Sequence, residues 1–599
     1  MNRLLLTAFG LALAFSISAQ EAPTPVGPLP TKHQVAWQQL ETYAFIHFGP
    51  NTFQDREWGY GDAPLSCFNP TRLDCEQWAK TVKAAGMKGI IITAKHHDGF
   101  CLWPSKYTGY SVRNTPWRDG KGDVVGELAA ACKKYGLKLG LYLSPWDRHQ
   151  AFYATPLYVE YFYAQLEELL TQYGELFEVW FDGANGGDGY YGGAREERKI
   201  DRRTYYDFPR AHRLIFKLQP QAIIFSDGGP GCRWVGNERG YAYATNWSLL
   251  RIKEVYPGYD RSAELQGGHP DGDTWVPAEC NTSIRPGWFY HPSEDDKVKS
   301  VDYLTDLYYR SVGHNGTFLL NFPVNREGLI HPTDSAHAVD LYKRVSAELS
   351  DNLLLHGVTI KATDERSKAF STKALTDDDF NTYWATHDGV TAATLTFTMK
   401  RVTNVNRLML GEYIPLGQRV SSFVVEYQSG KQWLPVRAKE ETTTIGYKRI
   451  LRFQTIKTKA LRVRILEARG PICLNQAGLY YAAGATDSYE VKEAELKGFD
   501  YNASTVGDGV LLTLDAVHTV SSLHYQPAAK GWVFNYEILA GQSRDAMKRV
   551  ASGEFSNIRN NPVLQSVYFT PTTAQYILFR ATRMVNEGES IEYKTIVVK

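Results

Sequence analysis

The run Gly89-Ile90-Ile91-Ile92-Thr93-Ala94, followed at once by Lys95-His96-His97-Asp98-Gly99-Phe100, decides the architecture. A short apolar run rich in β-branched side chains, without polar alternation, reads as a strand buried on both faces, as in a parallel sheet. Two histidines, a carboxylate and a glycine directly after it suit a core badly, because buried ionisable groups are costly without partners. They suit the rim of an α/β barrel, where the loops after the strands carry the chemistry. The segment continues as Cys101-Leu102-Trp103-Pro104-Ser105-Lys106-Tyr107-Thr108, which keeps aromatic and polar groups on one loop. Ring faces beside hydrogen-bonding side chains are what a sugar ring needs.

Outward from this segment, residues 33 to about 350 alternate strand and helix patterns. Strands are predicted at 43–48, 89–94, 137–143, 176–181, 222–226 and 317–323. Amphipathic helices are predicted at 74–86, 123–135, 158–173 and 332–350, with Asp74 and Asp123 as N-caps and Gly86, Gly136 and Gly174 as stops. Repeated β–α units over this length predict a (β/α)8-like barrel. A doubly wound open sheet is the alternative, but no G-x-G-x-x-G follows the first strand. After about residue 354 the pattern changes to short alternating runs, at 406–410, 422–427 and 461–466, separated by Gly, Asn and Asp turns. That is the pattern of an antiparallel β-sandwich. Gly484-Ala485-Thr486-Asp487 reads as a second junction, and 521–525, 532–538 and 576–581 as strands of another sandwich.

The chain has 599 residues, enough for several cores. Its 66 basic and 65 acidic side chains leave a net charge of +1, which provides no electrostatic case for nucleic acid or an anionic membrane. Arg3, the apolar run 4–17 and the small residues Ser16-Ile17-Ser18-Ala19 read as a secretory leader cleaved before Gln20. The expectation is an exported protein without a membrane span, periplasmic or extracellular. The domain reading is therefore leader 1–19, Pro-rich lead-in 20–32, barrel 33–353, sandwich 354–484 and second sandwich 485–599. Seven cysteines are too few for a disulfide framework at this length, though one or two bridges are open to them. No Cys/His spacing suggests zinc.

Each of the first five strand ends is followed by polar residues: His47, Glu57 and Trp58; His96 and His97; Ser144-Pro145-Trp146-Asp147; Asp182; and Asp227, Arg233, Trp234, Asn237 and Glu238. Two carboxylates stand out. Asp182 ends Val179-Trp180-Phe181, with Gly183 leaving it accessible, and could attack an anomeric carbon as a carboxylate. Glu238 lies in a loop of glycines and aromatics, where an apolar wall raises a carboxyl pKa and lets it donate a proton. A nucleophile with an acid/base describes a retaining glycosidase, whose carboxyls stand about 5–5.5 Å apart. The structural alternatives are an N-cap or salt-bridge role for Asp182 and an exposed loop charge for Glu238. A single strand-end histidine often orients a loop. Metal binding by the His pair lacks any H-E-x-x-H spacing, and Ser144 lacks a G-x-S-x-G elbow.

Together these segments resemble glycoside hydrolase family 29, the α-L-fucosidases. The resemblance rests on His47-Phe48-Gly49, on Ala94 to Phe100 through Trp103-Pro104-Ser105, on Tyr142-Leu143-Ser144, on Trp180-Phe181-Asp182-Gly183 and on Leu319-Leu320-Asn321-Phe322-Pro323. It implies a retaining exo-glycosidase on a distorted barrel, with no cofactor for catalysis. It makes Asp182 the nucleophile and His47, His96 and His97 the residues that grip fucose hydroxyls. Glu57, Trp58, Tyr142 and Trp288 join them around the sugar. Arg233 to Glu238 is similar to the acid/base segment of the branch acting on α-1,3/1,4-fucosylated, Lewis-type glycans, which assigns Glu238. Glu279, in Trp275-Val276-Pro277-Ala278-Glu279, is its rival and would otherwise bind sugar or brace the nucleophile.

Residues 355–483 resemble discoidin-like, galactose-binding-type sandwiches through Ala374 to Trp384. In that class the resemblance implies a structural calcium, here at Asp377 and Asp379; an ordinary Asx-rich turn is the plain alternative. Two other functions compete with fucoside hydrolysis: non-catalytic glycan binding, against which the carboxylate pair argues, and α-L-galactoside hydrolysis on the same scaffold. The expected partner is a fucosylated oligosaccharide.

Overall fold

The computed structural model of the protein describes residues 22–485, 497–555, 558, 562 and 564–599. The leader reading and part of the second junction lie outside the described residues. Eight parallel strands close into a barrel in sequential order: β1 (Thr42–His47), β2 (Gly89–Lys95), β3 (Lys138–Leu143), β4 (Leu176–Trp180), β5 (Ile223–Ser226), β6 (Cys232–Trp234), β7 (Ala278–Ser283) and β8 (Gly316–Pro323), with β8 pairing back to β1.

Period-two alternation divides the strands between two cores. Tyr43, Phe45, Ile91, Tyr142, Phe177, Trp180, Phe225 and Leu319 fill the barrel interior. Ala44, Ile46, Ile90, Ile92, Leu141 and Leu320 face outward into the helix layer. That layer comprises α1 (Cys75–Ala84), α2 (Val124–Tyr135), α3 (Pro156–Gln172), α4 (Phe208–Leu218), α5 (Val301–Ser311) and α6 (Pro332–Leu349). Asp74 caps α1 by accepting the Glu76 and Gln77 N–H groups, and Asp123 caps α2 through Gly126 N. Gly136 closes α2 at φ 68°, a left-handed conformation that costs glycine little.

Two barrel strands, β6 and β7, and two helices, α4 and α5, are absent from the sequence reading. β5 and β6 are joined by residues 227–231 alone, where a parallel pair ordinarily needs a crossover of a dozen or more. Residues 235–277 then form a long excursion before β7, with one short antiparallel pair, Leu249–Leu250 with Thr274–Trp275. This is the distortion of the barrel, and it falls on the segment that holds Glu238.

Beyond the barrel, seven antiparallel strands between Thr359 and Tyr480 enclose a core that includes Trp384, Leu395, Phe397, Leu408, Phe423, Leu451 and Leu461. A six-stranded antiparallel sheet between Tyr501 and Val598 surrounds Leu512, Leu523, Tyr525, Ile538, Ile577 and Phe579. The strands are longer than the sequence runs suggest: Ala393–Glu412, Arg449–Ala468 and Gln565–Met584 each have 20 residues. Register breaks such as Thr398/Thr403 and Val520/Ser522 let them bend around their cores. The lead-in runs along the first of these domains, with Val26 N donating to Leu416 O at 2.9 Å. All seven cysteines are free thiols, so no bridge forms. Among the described residues no helix is long and apolar enough to cross a membrane.

Candidate active site at the strand ends

The C-terminal ends of the barrel strands converge on one cluster. His47 ends β1, and its Nδ1 lies 2.8 Å from Asn321 Oδ1 on β8. The Asn321 amide donates to Ser283 Oγ and to Trp288 O, so its Oδ1 accepts from His47 and leaves His47 Nε2 as an acceptor. Burial pulls the His47 pKa down to about 4, against the pull of that hydrogen bond, so the ring is neutral.

His97 follows β2. Its Nδ1 is 2.7 Å from Ser144 Oγ, and Ser144 gives its own proton to Trp146 O. His97 Nδ1 is therefore the donor, and the bare Nε2 stands 3.7 Å from Asp182 Oδ2. His96 stacks on Tyr142 with ring centroids 5.6 Å apart, and burial holds both imidazoles well below their ordinary pKa. Neutral imidazoles with free acceptor nitrogens suit sugar hydroxyls. Lys95 of the same motif serves the fold. Lys95 is fully buried and pairs with Asp147 at 3.2 Å and Gln165 at 3.0 Å.

Asp182 follows β4. Its Oδ1 accepts the Ala184 N–H at 2.7 Å and its Oδ2 the Tyr142 hydroxyl at 3.2 Å. Burial raises its pKa to about 6, although both hydrogen bonds favour the anion. Gly183 is required at the next position because a Cβ there would lie 2.5 Å from Asp227 Oδ2. Asp227 itself holds the excursion after β6 in place by accepting the Gly258 and Tyr259 N–H groups.

Glu238 lies in the excursion after β6. Its Oε2 accepts the Trp288 indole N–H at 3.0 Å. The Trp288 ring packs 5.1 Å from His47, His47 lies 6.2 Å from Tyr142, and Tyr142 bonds Asp182. The two carboxylates, distant in sequence, thus share one contiguous cluster at one end of the barrel. Gly236 adopts φ 80° to make the turn that carries Glu238, and a side chain there would collide with the Ser262 carbonyl. Trp58 packs edge-on against His97 at 5.0 Å and completes the wall.

Two residues, Glu57 and Glu279, occupy positions other than those expected. Glu57 is engaged with the loop after β7: it accepts from Trp288 N at 2.9 Å and Phe289 N at 3.1 Å, and lies 2.7 Å from His291 Nε2. It supports the Trp288 loop instead of facing a sugar. Glu279 is fully buried inside the barrel beneath Trp180, with Tyr43 Oη at 2.5 Å and Trp180 Nε1 at 3.0 Å. A carboxylate enclosed there has no route to a leaving group. Asp377 accepts from Asp379 N and Thr382 Oγ1, and Asp379 accepts from Asn381 N, which is an Asx-rich turn satisfied by its own chain.

One group of three potential metal ligands converges among the described residues, Glu178, Cys232 and Glu279. Donors from Trp37, Tyr43 and Trp180 already engage these carboxyls, and burial pushes the Cys232 thiol well above its ordinary pKa. Burial raises both carboxyl pKa values as well, Glu178 the more strongly because Glu279 lies beside it. Both carboxyls are thereby biased toward the protonated, neutral form.

Sequence reasoning missed Arg148. It is buried, donates to Trp58 O, Gly59 O and Asp188, and so fixes the loop that presents Trp58. Its position shortly after Ser144-Pro145-Trp146-Asp147 is the one local signal that pointed to it.

The Alpha-L-fucosidase family profile matches residues 29–341, and the F5/8 type C domain profile matches 359–476. The chain is 42% identical to Alpha-L-fucosidase 1 of Arabidopsis thaliana over 464 residues, 76% of this chain and 88% of that protein. A glycoside hydrolase 29 family member from an unknown rumen bacterium superposes with a TM-score of 0.70 at 41% identity, covering 96% of this chain and 100% of its own. A Ruminococcus gnavus GH29 fucosidase, solved in complex with fucose, matches with a TM-score of 0.70 at 32% identity, over 78% of this chain and 97% of its own. The chain belongs to glycoside hydrolase family 29, the α-L-fucosidases, and hydrolysis of α-L-fucosides is its activity.

Proposed function

We propose that the protein is a retaining exo-α-L-fucosidase that removes α-1,3/1,4-linked fucose from Lewis-type branched glycans. The observation that carries this reading is the shared cluster: Asp182, oriented by Ala184 N and Tyr142 Oη, stands with Glu238, oriented by the Trp288 indole, around the His47/His96/His97 group. In the first step an Asp182 oxygen bonds to the anomeric carbon as the glycosidic C–O bond breaks, and Glu238 passes its proton to the departing oxygen. In the second, Glu238 takes a proton from water, the water oxygen attacks the anomeric carbon, and the Asp182–fucose bond breaks. The neutral histidines accept hydrogen bonds from the fucose hydroxyls, while Trp58, Tyr142 and Trp288 cover the ring.

Asp182→Ala is expected to lose nearly all turnover while keeping the unfolding temperature. Glu238→Ala is expected to lose about 10²–10⁴-fold on a glycan and far less on a substrate with a good leaving group, with azide restoring part of the rate. NMR of the first-formed fucose should show the α anomer. A β anomer, or near-normal turnover by Asp182→Ala, would reject the mechanism. Release of fucose from Lewis a and Lewis x but not from 2′-fucosyllactose supports the linkage, and the reverse preference overturns it.

Export is a further part of the proposal, supported by the apolar run 4–17, and a mature N-terminus at Gln20 is the result expected from sequencing. A structural calcium at Asp377 and Asp379 would appear as a calcium-dependent rise in unfolding temperature that Asp377→Ala abolishes; no response to calcium or chelator leaves the turn to its own hydrogen bonds.

A further inference from the structure

The first sandwich and the C-terminal domain meet the barrel at opposite ends. The sandwich docks where β1 and β8 begin: Lys448 and Tyr447 bond Glu41, and Tyr447 N donates to Asn315. The C-terminal domain, although it follows the sandwich in the chain, reaches the catalytic end. Lys297 Nζ donates to Tyr568 Oη at 2.8 Å and lies 4.8 Å from the centre of that ring. Lys297 belongs to the loop after β7 that presents Trp288, and Glu294 ties the two parts of that loop together by accepting Gly287 N at 3.1 Å. Arg583 stands 3.9 Å from Glu197. Glu197 is in the hairpin of Gly187–Gly189 with Glu196–Arg198, which grows from the loop behind Asp182. The two contacts therefore fall on the loop that follows Asp182 and on the loop whose Trp288 indole bonds Glu238.

Neither contact accounts for docking by its strength. The Arg583–Glu197 pair is loose and both partners are half-exposed, the class of ion pair that contributes little. What the domain presents at this rim is chemistry suited to a neutral glycan. Tyr568 is 49% exposed, and the Arg583 guanidinium lies 5.0 Å from the centre of the Phe534 ring, a planar donor held beside an aromatic face. Fucose is the terminal unit in an exo-acting site, so once it fills the pocket at the strand ends the rest of the oligosaccharide leaves between the rim loops.

We propose that the C-terminal domain forms the outer wall of the cleft, and that Tyr568 and Arg583 bind the oligosaccharide beyond the fucosyl bond. This rests on the assignment of Asp182 and Glu238 as the reacting pair. The test compares Tyr568→Ala and Arg583→Ala with the natural protein on two substrates of one linkage, a fucosylated disaccharide and a fucosylated penta- or hexasaccharide. The expected result is a KM for the longer glycan raised about five- to tenfold, the size of one lost ring contact, with kcat held and the disaccharide parameters unchanged. Tyr568→Phe keeps the ring and loses the Lys297 hydrogen bond, so it should behave like the natural protein; a KM rise equal to that of Tyr568→Ala would make that hydrogen bond a docking strut and overturn the proposal. Equal effects on both substrates, or none on either, would also overturn it. Failure of the Asp182/Glu238 assignment would appear separately, as turnover retained by Asp182→Ala, and would leave the length dependence readable.

Discussion

Asp182 sits where burial raises its pKa to about 6 while the Ala184 N–H and the Tyr142 hydroxyl pull the other way. A nucleophile must be ionised, so kcat/KM is expected to fall about tenfold per pH unit below about 6. Tyr142→Phe removes one of the two groups that favour the anion, so its acid limb should move to higher pH; a limb that stays in place would mean another group sets it. Glu178 and Glu279 present the same physics without catalysis. Their folded pKa values are raised, so the folded state binds protons that the unfolded chain releases. Stability from this pair is complete below the ordinary carboxyl range and is lost as pH rises through the folded values. Glu178→Gln replaces one of the two ionisable carboxyls with a neutral amide and should flatten the decline in denaturation midpoint as pH rises above the ordinary carboxyl range. An unchanged slope would place the proton elsewhere. Asp182 was legible because it ends an apolar strand and is followed by glycine. Glu279 was not, because its partners Tyr43, Glu178 and Trp180 come from two other strands and no local pattern announces them.

The strands that were legible are those whose residues face two apolar layers. β1, β2, β3, β4 and β8 place aromatic or aliphatic side chains both inward and outward, and the run of apolar letters records it. β7 reads Ala-Glu-Cys-Asn-Thr-Ser and is buried throughout, but its polar groups are satisfied across the barrel, so composition hid it. β6 has only three residues, too few for any period. α5 carries buried Thr305, Asp306 and Ser311 as well as Leu304 and Leu307, because the sandwich covers the face that would otherwise be solvated, and the amphipathic signal blurs. Glu57 belongs to this scale because it acts on a loop. Burial works against charge on His291, but Asp55 and Glu57 outweigh it and hold its pKa up to about 10, so the imidazolium persists across neutral pH and its charge is lost as pH rises through that value. Glu57→Gln keeps the volume but weakens the bonds to Trp288 N, Phe289 N and His291. It is expected to lower kcat/KM by up to about a hundredfold, the scale of an ångström-sized misplacement, with little change in unfolding temperature. A loss of stability without a loss of kcat/KM would mean that the loop does not position Trp288 for the reaction.

The barrel and the first sandwich are welded. Met409, Ile450 and Tyr480 of the sandwich belong to the barrel's outer core, and Ile450 N donates to Gly313 O at 3.0 Å. Gln418 exchanges hydrogen bonds with Ser248 N and Asn246 O, and Asp306 on α5 pairs with Lys439 at 3.0 Å and Arg452 at 2.8 Å. Although burial works against it, these cations hold the Asp306 pKa below its ordinary value, so this contribution is present above the ordinary carboxyl range and lost on acidification. A change of periodicity near residue 354 made two domains legible, but the weld was not, since its pairs join residues 59 or more positions apart. Its most consequential member is Glu348 at the end of α6. Its Oε2 accepts the Tyr309 hydroxyl at 2.6 Å and lies 3.2 Å from the fully buried Arg407 guanidinium. Glu348→Ala would leave that guanidinium in the interface without its carboxylate, a loss of about 3–5 kcal/mol for a buried pair broken from one side. If the two domains are one cooperative body, calorimetry should show a single transition for both, moved down as a unit in the variant. A sandwich transition that separates and moves alone, with the barrel transition and fucoside hydrolysis unaltered, would show that the sandwich is only appended to the barrel.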